Sequence, residues 1–541
     1  MRNDGIPPSR RQILLAGTAL LAVAALPGTP LAADAAVPGA AAPDGAFTRS
    51  TVLDIARALA KQEYVPPATD LPDPIKDLTY DQYRDIRFNR DMAIWTKDNL
   101  PFRLELFHRG FYYKDEVDVA IVSQGVAKHL AFSPALFTYG KLVPQPIPQI
   151  DIGFAGIRLL GHMNKPDVFD EVAVFLGASY FRSLGRGQQF GISARGLALK
   201  TGDPEGEEFP IFRAFWAETP AADGDAVVVN ALLDSPSVAG AYRFTIRPGF
   251  PTVMDVEATL LPRVALDKVG LAPGTSMFFF GPNDRTNFDD WRPEVHDSDG
   301  LLMVTGRGER IWRPLANPKT LQFSAFQDTS PRGFGLIQRN RDPNTFQDFE
   351  SHYDRRPSLW VEPVGDWGQG AVVLVEIPSD SEVNDNMVAY WSPKDPIAAG
   401  SEFSFAYRLS WGGEPDQAIV GAMVGATRVG RGTLKGTSPI RRFVIDFTVP
   451  PPEPPAEPQT ASQAAAATAQ LAAAPDPSPK AEVTASAGTI SEINIERNPL
   501  TKGWRLTFKL DPGSEKLIEL RAILKIDGGP QAETWLYRWT E

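Results

Sequence analysis

The sequence predicts an all-β protein, and three observations carry that prediction. Apolar and polar residues alternate with period two in many short stretches, the pattern of strands that bury one face. Gly and Pro are plentiful, 45 and 49 of 541 residues, so turns interrupt the chain often. Aromatic residues make up 10% of the chain and suit pleated, half-buried surfaces. The length allows two or more domains, and 22% charged with 43% hydrophobic residues is ordinary globular composition.

The N-terminus is an exception to the strand pattern. Ser9-Arg10-Arg11-Gln12-Ile13-Leu14 opens a mildly apolar, Ala-rich run to Leu26, and Ala33-Asp34-Ala35 fits the small-x-small cleavage rule. Residues 1–35 therefore read as an export signal, too short and too weakly apolar for a lasting membrane span. The paired arginines point to the twin-arginine route and a periplasmic mature chain. Residues 36–48 read as a flexible leader. Val52, Ile55, Ala56, Leu59 and Ala60 recur at helical spacing, which predicts a short helix over 49–62.

From residue 80 onward the period is two. Strands are expected around 102–106, 117–122, 171–177, 242–249, 276–282 and 371–378, with little helix between them, which argues for a β-sandwich spanning 49–395. SPKDPIAAG (392–400) breaks the pattern. The strand-rich block that follows, 400–541 and beginning with SEFSFAYRLSW (401–411), suits a small immunoglobulin-like sandwich. Inside it, residues 450–480 hold 9 Pro and 10 Ala, too few large apolar side chains to offset ordering entropy. That segment reads as a disordered insertion within the second domain.

Composition also excludes function classes. A net charge of −12 and the lack of any long Lys/Arg run argue against nucleic acid or an anionic membrane surface as partner. Without cysteine there are no disulfides, thiol nucleophiles or thiolate metal sites. The five histidines form no HxxxH or HExxH pattern, so neither metal nor cofactor is expected. GRGQQFG (185–191) lacks the order of a phosphate loop, and no GxSxG elbow occurs.

Three phrases concentrate polar chemistry. RPEVHDSDGLLM (292–303) holds Glu294, Asp297 and Asp299. An EF-hand loop starting at Asp297 would place Gly308 where a bidentate Glu is required, so an acidic turn or a catalytic carboxylate remains. VEIPSDSEVNDNMVAYW (375–391) sets Asp380, Glu382 and Asp385 in a loop after a strong strand. Carboxylates this near raise one another's pKa if held together, which a general acid needs, although an Asx turn explains the loop as well. FQDFESHYDRRPSLWVEPVGDWGQG (346–370) mixes Tyr353, Asp354, Arg356 and Trp360 with further charges. Such a mixture suits sugars, which stack on indole faces and hydrogen-bond to ions, and Trp291 and Trp391 flank the two acidic phrases.

These phrases, together with FNRDMAIW (88–95) and FFGPNDR (279–285), resemble the bacterial glucans biosynthesis protein G and D family over about residues 45–411, and more loosely beyond. The twin-arginine signal looks more like protein D. The resemblance implies a galactose-mutarotase-like β-sandwich, an immunoglobulin-like domain, and a part in making osmoregulated periplasmic glucans of β-1,2-linked glucose. Some members are similar to inverting hydrolases of β-1,2-glucan, and others to transferases that cyclise it. Carried onto this chain, the general acid falls on Asp385 with Glu382 beside it, and the base, acting through a relay, on Asp297. Tyr353 and Arg356 match residues lining the cleft. The Pro/Ala insertion departs from the family pattern.

An inverting pair typically stands roughly 6.5–9.5 Å apart, and Asp297 and Asp385 come from different strand ends, as residues facing across a cleft would. Glu382, if ionised, would help keep Asp385 protonated. The expectation is thus a hydrolase of β-1,2-glucan, with two rivals: a cyclising transglycosylase using the same carboxylates, and a non-catalytic glucan-binding scaffold. Glucan-synthesis partners are expected at the C-terminal domain. The oligomeric state is left open.

Overall fold

A computed structural model describes residues 44–285, 288–415, 421–433, 439–448, 479–525 and 532–541. The export signal (1–35), most of the leader, and residues 450–478 of the Pro/Ala segment lie outside the described residues. Within them the chain is nearly all strand, as period two predicts. The end of the expected leader is ordered, with Gly45–Ala46 pairing with Val126 and Ala127. Lys480 already opens the strand Lys480–Ala485. No helix among the described residues is long and apolar enough to cross a membrane.

Two large sheets face each other. One has fifteen strands and turns through the whole molecule; its middle runs Ile211–Glu218, Val227–Asp234, Val238–Arg247, Thr252–Pro262, Phe403–Gly412, Ser358–Val364, Gly333–Ile337, Gly300–Val304 and Arg310–Pro314. The other has ten strands, including Phe169–Leu176, Tyr180–Ser183, Ser193–Arg195, Val269–Ser276, Met387–Pro393 and Gln369–Glu376. Alternate residues of both sheets fill the space between them. Phe175 meets Phe181, Phe215 and Phe244 at ring separations of 5.3, 5.4 and 5.1 Å, mostly edge to face. Burying each such ring contributes about 1.5–3 kcal/mol. The helix Thr51–Ala60 lays Val52, Ala56 and Leu59 on the outer face of the fifteen-stranded sheet, in one apolar cluster with Trp216 and Leu261.

One assignment differs from the sequence reading. The strand Phe403–Gly412, expected to open the second domain, lies inside the first sheet between Thr252–Pro262 and Ser358–Val364. Its alternation, with Phe405, Tyr407, Leu409 and Trp411 all buried, suits either sandwich, and only pairing decides between them. The second unit consists of a four-stranded sheet, Met423–Arg431, Arg441–Thr448, Trp504–Asp511 and Thr489–Arg497, packed on Lys480–Ala485, Leu517–Lys525 and Thr534–Thr540. Those last three strands continue the fifteen-stranded sheet, because Thr534 and Trp535 pair in parallel with Ile311 and Trp312.

A buried ion network pins this junction. Arg339 donates to both Glu533 oxygens at 2.8 and 2.7 Å, Arg310 adds a bond of 2.8 Å, and the Val424 N–H adds one of 2.9 Å. The Arg339 guanidinium also lies 3.6 Å from the Trp312 ring centre. Burial alone would raise the Glu533 carboxyl, but the charges and hydrogen bonds of Arg339 and Arg310 outweigh it and hold the group below its ordinary value. A carboxyl depressed by folding stabilises above its unfolded pKa, about 4.3 for Glu, and the contribution disappears as pH falls through the folded value. Glu533→Ala, which leaves Arg339 and Arg310 sharing only the Glu414 carboxylate, is expected to cost about 3 kcal/mol in urea unfolding. The difference from wild type should shrink below pH 4.

Candidate active site

The site forms where one strand changes partners. Val269–Ser276 pairs with Met387–Pro393 as far as Ser276↔Met387; the chain then continues as Phe278–Phe280 and pairs instead with Val295–His296. Asn386 holds this changeover. Its N–H donates to Ser276 O (3.0 Å), its Oδ1 accepts from Phe278 N (2.9 Å), and its Nδ2 donates to Phe278 O (2.9 Å) and Ile377 O (3.2 Å). On the other side Asp297 N donates to Met277 O at 2.8 Å. Asp297 and Asp385 therefore leave the chain on opposite flanks of the same short segment, Ser276–Phe278, despite 88 residues of separation.

Asp297 is fully buried. Its nearest charged neighbour is Arg356, whose Nε stands 3.5 Å from Oδ1, close enough for an ion pair and too long for a good hydrogen bond. Neither Asp297 oxygen accepts a hydrogen bond from the described residues, so its lone pairs remain uncommitted. Arg356 is itself buried and is aimed by carbonyls: it donates to Phe190 O, and to Ser351 O at 2.7 Å. Tyr353, also buried, donates its hydroxyl to Glu382 Oε2 at 3.2 Å. The turn Tyr353–Arg355, which carries Tyr353 and ends at Arg356, starts from His352 in the left-handed region (φ 47°), which His tolerates better than most side chains.

Glu382 is committed elsewhere than expected. Arg292 binds Glu382 Oε2 at 2.8 Å and Asp348 Oδ2 at 2.9 Å, and clasps Asp290 through 2.7 and 3.0 Å bonds. The Glu382 charge is thus balanced by a guanidinium rather than set against Asp385 alone. Arg292 ties all three acidic or aromatic phrases into one wall, a role the sequence reading missed although Arg292 opens one of the quoted phrases. Asp385 is half-buried, and its charge acts on Tyr180, Arg182 and Arg195. Tyr180 and Arg182 precede, and Arg195 follows, GRGQQFG (185–191), which the sequence reading considered only as a phosphate loop and rejected.

The remaining expected residues divide. Trp291 is 72% exposed beside Arg292, available at the rim. Asp354 is half-buried: its carboxylate stands 4.0 Å from His352 and 3.7 Å from Arg355, and its carbonyl accepts from Arg341 at 3.3 Å. Trp360 is not a cleft residue: it is 1% exposed and packs with Leu302, Trp312 and Trp535 in the core shared with the second unit. Trp391 is likewise buried, against Trp367. Both indoles were expected to serve sugars, and both are used for packing. Among the described residues no group of His, Asp or Glu could hold a metal ion.

A model of the periplasmic glucan biosynthesis protein family, MdoG, matches residues 47–539. The chain belongs to that family. Relatives include the glucans biosynthesis protein G of Shewanella sp. (strain ANA-3), 54% identical over 496 residues that cover 92% of this chain and 87% of the relative. The protein G of Vibrio cholerae serotype O1 (strain M66-2) is 53% identical over 499 residues, covering 92% and 88%. These family relatives carry the name protein G, so the leaning toward protein D drawn from the twin arginines finds no support in them. Among solved structures, a GH36 alpha-galactosidase, AgaA of Geobacillus stearothermophilus, overlaps 57% of this chain and 39% of its own at 12% identity and a TM-score of 0.23. That likeness carries no argument.

Gly191 offers a test of how closely Arg356 is held. A Cβ at Gly191 would stand 2.8 Å from Arg356 Cδ and 3.1 Å from its Cβ, so Gly191→Ala must displace the guanidinium from Asp297. Any activity that depends on Asp297 should fall, approaching roughly 100-fold for a shift near 1 Å. The unfolding midpoint should fall modestly, by the equivalent of about 1–3 kcal/mol for overpacking a buried site, while the chain still folds. Steady-state rates and thermal melts on one preparation check both expectations.

Proposed function

We propose that this protein cleaves β-1,2-glucan in the periplasm by inverting acid/base catalysis. Asp385 protonates the glycosidic oxygen, and Asp297 draws the proton from water through a relay. The observation that carries the reading is the pair of carboxylates on opposite flanks of Ser276–Phe278, one of them buried with its lone pairs uncommitted. A general base needs that freedom, whereas a purely structural buried carboxylate is normally saturated with donors. Burial of Asp297 also explains the relay: water at the sugar is reached through an intervening hydroxyl, because the carboxylate itself has no exposed surface.

The other groups fit sugar binding. Glu382 and Arg292 line the wall with partly exposed polar groups, buried Tyr353 braces Glu382 from behind, buried Arg356 stands beside Asp297, and exposed Trp291 offers a stacking face at the rim. Asp354 lies at the edge of this wall. The second unit, an immunoglobulin-like sandwich, is the place for contacts with glucan-synthesis partners, and the twin-arginine signal is the route of export.

Incubating the mature chain with linear β-1,2-glucan and weighing the products tests the reading. Shorter linear chains, each cut adding one water, are expected. Products one water lighter than linear chains of equal length would assign cyclising transfer by the same carboxylates. Unchanged but bound glucan would make the protein a scaffold. Asp385→Asn is expected to lower turnover on the order of 100- to 10,000-fold while folding and glucan affinity persist.

A further inference from the structure

Next to Asp297 in the chain, a histidine outside the reacting groups is enclosed by an unusual set of partners. His296 is 1% exposed, stacked on Phe278 at 5.4 Å and edge-on to Phe346 at 5.2 Å. Its Nδ1 lies 2.9 Å from Gln338 Oε1, and its Nε2 lies 3.2 Å from Glu294 Oε2. The Gln338 amide cannot be turned the other way. Its Nε2 donates at 3.1 Å to two backbone carbonyls, His296 O and Tyr353 O, which no oxygen could do. Oε1 must therefore face Nδ1, and Nδ1 must carry a proton. Nε2 faces a carboxylate that already accepts from Asn340 Nδ2, so a proton lies on that line as well.

We propose that His296 is a buried imidazolium, paired with the Glu294 carboxylate, that positions Asp297 and Tyr353 through Gln338. The inference rests on the proposed function only in taking Asp297 as the base and Tyr353 as part of the polar wall; His296 itself is a positioning residue. One amide spans the carbonyl just before Asp297 and the carbonyl of Tyr353, so its orientation fixes two walls of the site at once. That orientation is set by the Nδ1 proton.

The surrounding charges agree. From its own segment His296 meets Glu294 and Asp299; Arg339 and Asn340 bind Asp299 through their N–H groups at 3.1 Å each, Arg339 and Arg341 act on Asp299 by charge, and the turn at Tyr353 contributes a carbonyl through Gln338. Burial lowers the imidazole pKa, but the Glu294 hydrogen bond and charge, followed by Asp299 and Gln338, overcome it and leave it raised. A histidine raised by folding stabilises fully below its unfolded value, about 6.5, and that contribution disappears as pH rises through the folded value.

The test uses full-length mature protein with 15N-labelled histidine, of which the chain has five. His296 is assigned by the signal lost in His296→Asn. At pH 7 both ring nitrogens are expected in the protonated range, whereas in Glu294→Gln the Nε2 should move to the unprotonated range. An unprotonated Nε2 in wild type would put the proton on Glu294 and overturn the proposal. On β-1,2-glucan, Gln338→Met is expected to lose kcat on the order of 100-fold with KM within about threefold, the signature of misplaced reacting groups. Unchanged kcat would overturn the positioning role. The NMR needs no turnover, so a charged ring in a chain that leaves glucan intact would sink the proposed function and not this inference.

Discussion

Everything at the site hangs on how one strand is released from its sheet. A strand that stops pairing exposes backbone donors and acceptors, and if it is buried each must find another partner. At Ser276–Phe278 most of those partners come from a single residue. Asn386 uses its amide oxygen, both amide hydrogens and its own N–H to bind Ser276, Phe278 and Ile377, in place of the ladder that ends there. Asn317 repeats the device one layer out: it donates to Phe279 O and Ser379 O and accepts from Ser379 N. With the changeover secured, the acidic loop on one flank and the His296–Asp297 segment on the other have little freedom left.

The charges in this molecule are deployed in two ways. At the junction of the units, Arg339, Arg310, Glu414 and Glu533 saturate one another with bonds of 2.7–3.2 Å, so the desolvation cost is offset and the network is mainly mechanical. At the site the pairing is incomplete. Arg356 and Asp297 stand near without a good hydrogen bond, an arrangement costly for stability that leaves lone pairs for chemistry. Arg292 marks the border between the two styles, being saturated by Asp290, Asp348 and Glu382 while forming the cleft wall.

The errors of sequence reading follow from the same physics. Trp360 and Trp391 sit among charges in sequence, which suggests sugar stacking, but alternation along a strand puts neighbours on opposite faces, and these indoles face the cores. Phe403–Gly412 follows a Pro- and Gly-rich break and looks like a new domain; a break in the chain is a turn, and a turn can return a strand to the sheet it left. Arg292, Asn386 and Gln338 were passed over because polar residues next to carboxylates have no periodic signature.

The sequence by itself determined the all-β architecture, the helix near residue 51 and the two acidic phrases, because alternation, turn residues and local carboxylate density are properties of neighbours along the chain. It also carried the family resemblance, since long phrases survive intact in one dimension. Which strand pairs with which, which indole faces solvent, and which cation neutralises Glu382 were decided only in three dimensions. Those outcomes depend on contacts between residues far apart in the chain, such as Arg292 with Glu382 and Ile311 with Thr534, where a one-residue change of register exchanges buried and exposed faces and the sequence pattern reads the same either way.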